Sequence, residues 1–286
     1  MTELCESALM AKIIEHKHDD GTCPFCKENE EVEQEGESDL EQDWDDDERS
    51  QDKYWTKKIG NSSGKLEKNM KANGSPRPDN WTLKLPVYDC KFNKVNLAPD
   101  HKITPNPHHL IPGNESLKEA ERLLKWVYAS EDHIEKDINY DVNNALNGIW
   151  LPSNNAMRGN DDWKCDTVKL TYANAAQPGR GCFHDRHLDY SEFVEKLLNK
   201  VADKMGQKNS VCQYNAEKGS DKFKPPYALV HRLNGVSQRL KGYLLSFNPD
   251  NFQPPLYTSK LVNMRVKMIK DYDMGNKVTV KYDKHK

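Results

Sequence analysis

Two pairs of histidines have the spacing needed to act together in catalysis. His108 and His109 are adjacent within PNPHHLIPG, and His184 and His187 lie three positions apart within HDRHLDY. Adjacent residues of a strand point to opposite faces, so one imidazole of the first pair can bind a metal while the other accepts a proton. Residues at i and i+3 share a helix face, so the second pair can meet one ion. Three imidazoles plus solvent make an open, hydrolytic kind of metal site.

Each pair also has a purely structural interpretation. His108 and His109 can form a polar turn bounded by prolines, and His184 and His187 can be exposed residues at the start of a helix. The hydrolytic interpretation suits phosphodiester chemistry, which needs a base for water and a cation for the phosphate and the leaving oxygen. An imidazole with an ordinary pKa near 6.5 is a suitable base at neutral pH.

The elements that would position these residues can be predicted from periodicity and turn signals. The sequence NGIWLP is predicted as an Asn-Gly turn that leads into a short strand. Ser116 is predicted to begin a helix, with Glu119 completing a capping box. The other predicted elements are helices over 3–15, 131–136, 166–177, 191–205 and within 227–245, an edge strand over 82–90 interrupted by Pro86, and a strand over 277–282.

Charge divides the chain into an acidic segment and a basic body. Residues 1–52 hold 19 acidic and 4 basic residues, about −15, whereas residues 53–286 hold 26 acidic and 38 basic ones, about +12. The acids between residues 28 and 48 predict a disordered stretch, either a solvated linker or a competitor for a nucleic-acid groove. The basic body suits a polyanionic partner, although lysine-rich surfaces are also common on merely soluble proteins.

Three motifs in order resemble a known nuclease family. HHLIPG, NGIWLP and HDRHLDYSEFV are similar to the AHH group of the HNH/endonuclease VII superfamily. The resemblance covers about residues 105–200 and is weaker toward 227–245. It implies an α+β fold in which a ββα-metal (His-Me finger) core is embedded in a mostly helical domain. Pro107 replaces the alanine of the family name, and H-x-x-H replaces the H-x-x-x-H of related sites.

The resemblance also implies roles for individual residues. His109 would be the general base, and His108 would bind a divalent metal together with His184 and His187. Asn147 would brace the loop and orient the base. Arg180 and Arg186 are candidates for phosphate contact. Imidazole ligands favour Zn²⁺ or Ni²⁺, while Mg²⁺ or Mn²⁺ could serve in turnover.

A second metal site is predicted near the N-terminus. His16, His18, Cys23 and Cys26 form H-x-H-x4-C-x2-C, which could bind a structural zinc ion, although free thiols in a polar loop are the alternative. The remaining five cysteines are interpreted as small reduced core residues, because an odd total argues against a disulfide framework.

The predicted domains are an N-terminal helix with the zinc motif (1–27), an acidic and then polar disordered linker (28–80), and a basic nuclease domain (81–286) with its core at about 105–205. The expected function is metal-dependent hydrolysis of DNA with low sequence specificity. The alternatives are an RNase of the same fold and a non-enzymatic zinc-binding interaction module.

The resemblance further implies a bacterial antibacterial toxin with an immunity protein. No secretory signal and no membrane span are apparent in the sequence. We therefore expect a bacterial cytoplasmic location before delivery to a target cell as cargo of a signal-peptide-independent secretion carrier.

Overall fold

The computed structural model describes residues 48–83, 88–90, 93–95, 101–153, 173, 175–184, 187–205 and 222–246. Several predictions fall outside these residues and are not tested. They are the helix over 3–15, the N-terminal zinc motif, the acidic stretch up to residue 47, most of the helix over 166–177 and the strand over 277–282.

Five helices, five strands and three short helical turns have defined bounds among the described residues, and residues 173, 175 and 176 are helical as well. The helices are α1 (Glu48–Ile59), α2 (Ser63–Ala72), α3 (Glu121–Val127), α4 (Leu188–Met205) and α5 (Ala228–Leu245). The strands are β1 (Trp81–Leu83), β2 (Tyr88–Cys90), β3 (Asn93–Val95), β4 (His101–His109) and β5 (Gly148–Ser153). A π-helical turn covers Gly113–Leu117, and 3₁₀ turns cover Ala129–Glu131 and Ala145–Asn147.

The strands form two small sheets. β1, β4 and β5 lie side by side in that order, with Trp81 opposite Ile103 in the antiparallel pair β1–β4. β2 and β3 form a separate antiparallel pair. The edge strand predicted over 82–90 is thus represented by two short strands. The α+β class is confirmed at the level of mixed helices and small antiparallel sheet.

The predicted linker is wrong where it covers α1 and α2. The buried side chains of this helix pair are Trp55, Ile59, Leu66 and Met70, each no more than 6% exposed. They recur at i and i+4, so each helix buries one face. Ser62 caps α2 by accepting a hydrogen bond from the Lys65 amide at 3.3 Å. The polar composition of this region reflects the outer faces of two packed helices.

The helix predicted to begin at Ser116 begins later. The amides of Ser116 and Leu117 both donate to the Pro112 carbonyl, which makes the π-helical turn, and α3 starts only at Glu121. The Ser116 hydroxyl does not cap this segment, because it donates to the Ser191 carbonyl at 2.9 Å. The predicted capping box with Glu119 is therefore wrong.

The short helix predicted over 131–136 is also wrong. Ile134 forms an isolated β-bridge with Phe223, and the Glu135 amide donates to the Phe223 carbonyl. Asp132 adopts a left-handed conformation with φ of 56°, which interrupts a helix. His133 packs edge-on against Trp126, with ring centroids 4.2 Å apart. Pairing with a distant segment thus replaces local helix formation.

Helices α4 and α5 confirm the two helix predictions in the second half of the chain. Their buried residues recur at helical spacing, as with Leu197, Leu198 and Val201 in α4 and Leu229, Leu233 and Val236 in α5. Within the described part of the chain, no helix combines the length and the apolar character needed to cross a membrane.

The chain divides into two compact units. The first contains the described parts of residues 48–77, 107–149 and 191–242, and it is mainly helical. The second contains the described parts of 78–106, 150–190 and 243–286, and it includes β1, β2 and β3.

Candidate active site

The His109 imidazole is buried at the end of β4 and makes one defined polar contact. It is 7% exposed, and its Nε2 lies 3.2 Å from Oδ1 of Asn143. The hydrogen bond to Asn143 and the Asp141 carboxylate raise the pKa of His109. Burial has the larger effect and lowers this pKa below its ordinary value. The ring is therefore neutral at pH 7, which is the form that can accept a proton.

A tight turn carries Asn143 to His109. The Asp141 carboxylate accepts a hydrogen bond from the Asn143 amide at 2.8 Å. Asn144 then caps the following 3₁₀ turn, because its side chain accepts from the Asn147 amide at 3.1 Å. Asn143 is a site residue that the sequence analysis missed. Asparagine is common in turns, so a run of asparagines between Asn143 and Asn147 does not reveal which one contacts the imidazole.

Asn147 is fully buried and bridges three segments. Its Nδ2 donates to the carbonyls of Ile111 and Val142 at 3.0 and 2.8 Å. Its Oδ1 accepts from the Ile111 amide and from the Ser237 hydroxyl, both at 2.8 Å. Asn147 thus ties the loop after the double histidine to the turn and to α5. The side chain that contacts His109 is that of Asn143 and not that of Asn147, whose four carboxamide bonds are directed elsewhere.

Three of the predicted histidines converge. One ring nitrogen from each of His108, His184 and His187 lies within 4.8 Å of the other two. His108 is buried, and the other two are half-buried. Nitrogen ligands of tetrahedral zinc are separated by about 3.3 Å, given Zn–N bonds of about 2.0–2.1 Å. A modest contraction would therefore fit the cluster to an ion, and an all-imidazole donor set suits a transition metal better than Mg²⁺.

His184 and His187 do not lie on a helix, contrary to the predicted arrangement. α4 begins at Leu188, so both histidines precede it. Their rings nevertheless stack, with centroids 5.3 Å apart and planes inclined by 22°. The His184 amide donates to the Pro152 carbonyl at 2.8 Å, which ties this segment to the end of β5. Tyr190, in the first turn of α4, packs edge-on against His187.

Arg180 lies on a well-anchored turn before His184. Its guanidinium carbon lies 4.0 Å from the ring centroid of Trp81, in a cation–π arrangement. Gly179 and Gly181, on either side, have φ of 69° and 87°. A side chain at Gly181 would be strained and would approach Leu151 within 3.1 Å. Arg180 is exposed and has no carboxylate partner within the described part of the chain.

The remaining predicted site residues lie outside the described residues. These are Arg186 and the N-terminal set His16, His18, Cys23 and Cys26. Of the five cysteines interpreted as core residues, Cys182 is 1% exposed and is not part of a disulfide.

Comparisons with known proteins identify a family for the segment that holds this site. Residues 93–224 match the family described as AHH, a nuclease family of the HNH/ENDO VII superfamily with conserved AHH. No curated protein and no solved structure matched the chain. The resemblance identified from the three motifs is thus confirmed over residues 93–224, which match the AHH family of nucleases.

Proposed function

We propose that this chain is a metal-dependent endonuclease that hydrolyses phosphodiester bonds of DNA with little sequence preference. The observation that carries the proposal is the convergence of His108, His184 and His187, with the neighbouring His109 bound to a different partner. The family match over residues 93–224 supports a nuclease. We further propose that β4, β5 and α4 form a ββα-metal core that carries the four histidines.

The two adjacent histidines have separate roles in this proposal. His108 would bind the divalent ion with His184 and His187, and the ion would stabilise charge on the phosphate and the leaving oxygen. His109 would accept the proton of the attacking water at a ring nitrogen. Its burial favours a neutral ring, and its bond to Asn143 holds the ring in one orientation. Asn147 would keep the intervening loop rigid through its four hydrogen bonds.

Binding would rely on the phosphate backbone. Residues 53–286 carry about twelve more basic than acidic residues, and backbone contacts carry no sequence code. Arg180 is the described candidate for such a contact, because it is exposed on a well-anchored turn close in sequence to His184. Arg186 stays a prediction of the same kind.

The test is plasmid cleavage by purified wild type and His109→Ala, with and without chelator, in Zn²⁺, Ni²⁺, Mn²⁺ or Mg²⁺. Removing a general base is expected to lower the rate about 10²–10⁴-fold. His231→Ala is the matched control, since His231 is an exposed histidine of α5. We expect it to cleave at the wild-type rate.

Other outcomes distinguish the alternatives. Cleavage of RNA but not DNA would identify an RNase of the same fold. If neither nucleic acid is cleaved with any metal, the enzyme proposal fails and a zinc-binding interaction protein becomes the better explanation. In that case chelation should unfold the chain.

We also propose that the nuclease serves as a bacterial antibacterial effector, exported as cargo of a secretion carrier and neutralised by an immunity protein. The family match and the proposed chemistry support this role. Induced cytoplasmic expression in a bacterium should arrest growth and fragment DNA for wild type but not for His109→Ala. Normal growth with both proteins would contradict the toxin role.

A further inference from the structure

The turn between α1 and α2 encloses the side chain of Asn143. The Ser62 amide donates to Oδ1 of Asn143 at 2.8 Å, and Nδ2 of Asn143 donates to the Gly60 carbonyl at 3.1 Å. Asn69 of α2 donates to the Asn143 carbonyl at 2.9 Å. The helix pair therefore makes three hydrogen bonds to the residue that contacts His109, across more than 70 positions of sequence.

These bonds fix which way the carboxamide of Asn143 points. A flipped amide would turn Nδ2 toward the Ser62 amide and Oδ1 toward the Gly60 carbonyl, and both pairings would be repulsive. Oδ1 must therefore face the Ser62 amide, and the same oxygen lies 3.2 Å from Nε2 of His109. An amide oxygen only accepts hydrogen bonds, so Nε2 of the neutral ring must carry the proton.

We propose that the Gly60–Ser62 turn sets the tautomer of His109 through Asn143, and so makes Nδ1 the basic nitrogen of the active site. This inference rests on the proposed function for its catalytic meaning, whereas the tautomer itself does not depend on it. Asn143 is a positioning residue in this account, and α1–α2 belongs to the catalytic domain. The helix pair lies before the segment that matches the family, which begins at residue 93.

Two glycines in the histidine and asparagine motifs show how closely the helix pair packs there. A Cβ at Gly113 would lie 2.8 Å from a side-chain carbon of Ile59 and 2.7 Å from Oδ1 of Asn61. The same Asn61 oxygen accepts a hydrogen bond from the Gly113 amide at 3.0 Å. A Cβ at Gly148 would lie 2.5 Å from the Met70 sulfur. Both motifs need glycine because α1 and α2 occupy the space that a side chain would fill.

More contacts join α1 to the loops of the same unit. Lys58 pairs with Asp137 at 2.9 Å, and Lys118 pairs with Asp52 at 2.5 Å. The ring of Trp55 lies 5.3 Å from that of Tyr128. These ion pairs are only partly buried and still reach solvent, so they contribute modestly. The buried apolar face and the Asn143 bonds therefore carry most of the attachment.

The direct test is ¹⁵N NMR of the full chain with labelled histidine, using His109→Ala to assign the His109 signals. Long-range proton–nitrogen couplings distinguish protonated from unprotonated ring nitrogens. We expect wild-type His109 to be protonated on Nε2 at pH 7.5. A wild-type ring protonated on Nδ1 would overturn the inference, even for a protein that cleaves nucleic acid. A protonated Nε2 in a protein without nuclease activity would overturn only the proposed function.

Kinetic variants test whether the turn matters for catalysis. Asn143→Leu removes the amide and should lower kcat roughly 10–100-fold, as for other residues that orient a catalytic group, with KM nearly unchanged. Asn143→Asp keeps an oxygen acceptor for Ser62 and His109 but places its second oxygen against the Gly60 carbonyl, so it should recover only part of kcat. Asn69→Ala removes one donor to the Asn143 backbone at a half-buried position and should have a smaller effect in the same direction. If Asn143→Leu does not fold, Asn69→Ala is the variant that tests whether the helix pair matters for catalysis.

Two further variants separate positioning from general loss of structure. Asn73→Ala, at the end of α2, weakens the same helix without touching Asn143 and should leave kcat unchanged. Gly148→Ala should impair activity through the clash with Met70, and Met70→Ala in the same chain should restore part of it. Equal loss of kcat in Asn73→Ala and Asn69→Ala, or no rescue by Met70→Ala, would contradict the role of the helix pair.

Discussion

The surroundings of His109 and those of His184 and His187 are built in opposite ways. His109 is oriented by contacts that come from far along the chain, with Asn143 34 residues away and Ser62 81 residues from Asn143. The other two histidines are three positions apart, stack on each other and precede α4 directly. One region thus depends on long-range order, whereas the other follows largely from local sequence.

This difference predicts which part of the candidate site is more sensitive to substitution. Orienting a proton acceptor requires a defined ring position and tautomer, and buried hydrogen bonds to rigid segments provide both. Collecting metal ligands requires mainly that nitrogens approach within reach, and the ion itself can draw them closer. Damage to the long-range contacts should therefore reduce turnover, and damage to the local motif should reduce metal affinity.

The largest effect on stability is expected from Asn147→Ala, which removes side-chain hydrogen bonds between segments that are distant in sequence. The change leaves a buried amide, two buried carbonyls and the Ser237 hydroxyl without their partner. Each such loss costs about 1–3 kcal/mol, but relaxation limits the sum, so we expect about 3–5 kcal/mol less free energy of unfolding. Urea denaturation followed by circular dichroism measures this quantity.

Gln238→Ala is the control for Asn147→Ala. It removes an exposed hydrogen bond from Gln238 of α5 to the Leu146 carbonyl, and it should cost less than about 1 kcal/mol. Similar losses in the two variants would mean that Asn147 is not the junction described above.

The next largest effect concerns the metal ligands. His108→Ala, His184→Ala and His187→Ala should each weaken Zn²⁺ binding roughly 100-fold or more, since even residues behind the ligands change affinity about 10–100-fold. Isothermal titration calorimetry should be done in a Cys23→Ser/Cys26→Ser background, so that the predicted N-terminal site does not contribute. His231→Ala serves as the control. Unchanged affinity in His187→Ala would remove that residue from the ligand set.

A smaller effect is expected for substrate binding by Arg180. In a His109→Ala background, Arg180→Ala should bind a fluorescent DNA duplex roughly three- to tenfold more weakly and lower the salt-dependence slope by about 1. Arg180→Lys keeps the charge and should retain most of the slope, while Trp81→Leu removes the ring beneath the guanidinium. Equal affinity and slope for Arg180→Ala and its parent would exclude the phosphate contact.

The smallest effect is a pH dependence from His133, which belongs to neither region. Burial lowers the pKa of His133, and Lys125 lowers it further. The unfolded chain therefore takes up this proton more readily, so stability should decline as pH falls below about 6.5 toward the folded pKa. His133→Phe should reduce that decline between pH 7.5 and 5.5 in urea denaturation. If stability falls as much in His133→Phe as in wild type, other titrating groups, including His109, cause the decline.

Local signals allowed part of this structure to be predicted. The apolar spacing of α4 and α5 identified both helices, and the Asn-Gly turn identified the start of β5. The histidines of the cluster were recognisable from their motifs, although the expected helix face for His184 and His187 proved to be a segment before the helix.

Long-range contacts account for the main errors. The helix pair α1–α2 was interpreted as linker because of its polar composition, although Trp55 and Ile59, and likewise Leu66 and Met70, have the spacing of buried helix faces. Ser116 bonded to Ser191 instead of capping a helix, and Ile134 paired with Phe223. No local sequence pattern reveals which distant residues will pair. For the same reason, the sequence did not show that Asn143 contacts His109, whereas Asn147 bonds to the loop after the double histidine.

The order of segments in the first compact unit bears on how this part of the protein folds during synthesis. Residues 107–149 carry His109 and Asn147, but the donor at Ser237 lies 90 residues beyond Asn147. A ribosome adds roughly 5–20 residues per second, so about 5–18 s separate the synthesis of these two positions. During that interval the loop beside the proposed base lacks the hydrogen bond that Ser237 donates to Asn147. We expect this loop to become fully stable only after α5 has been synthesised and Ser237 has bonded to Asn147.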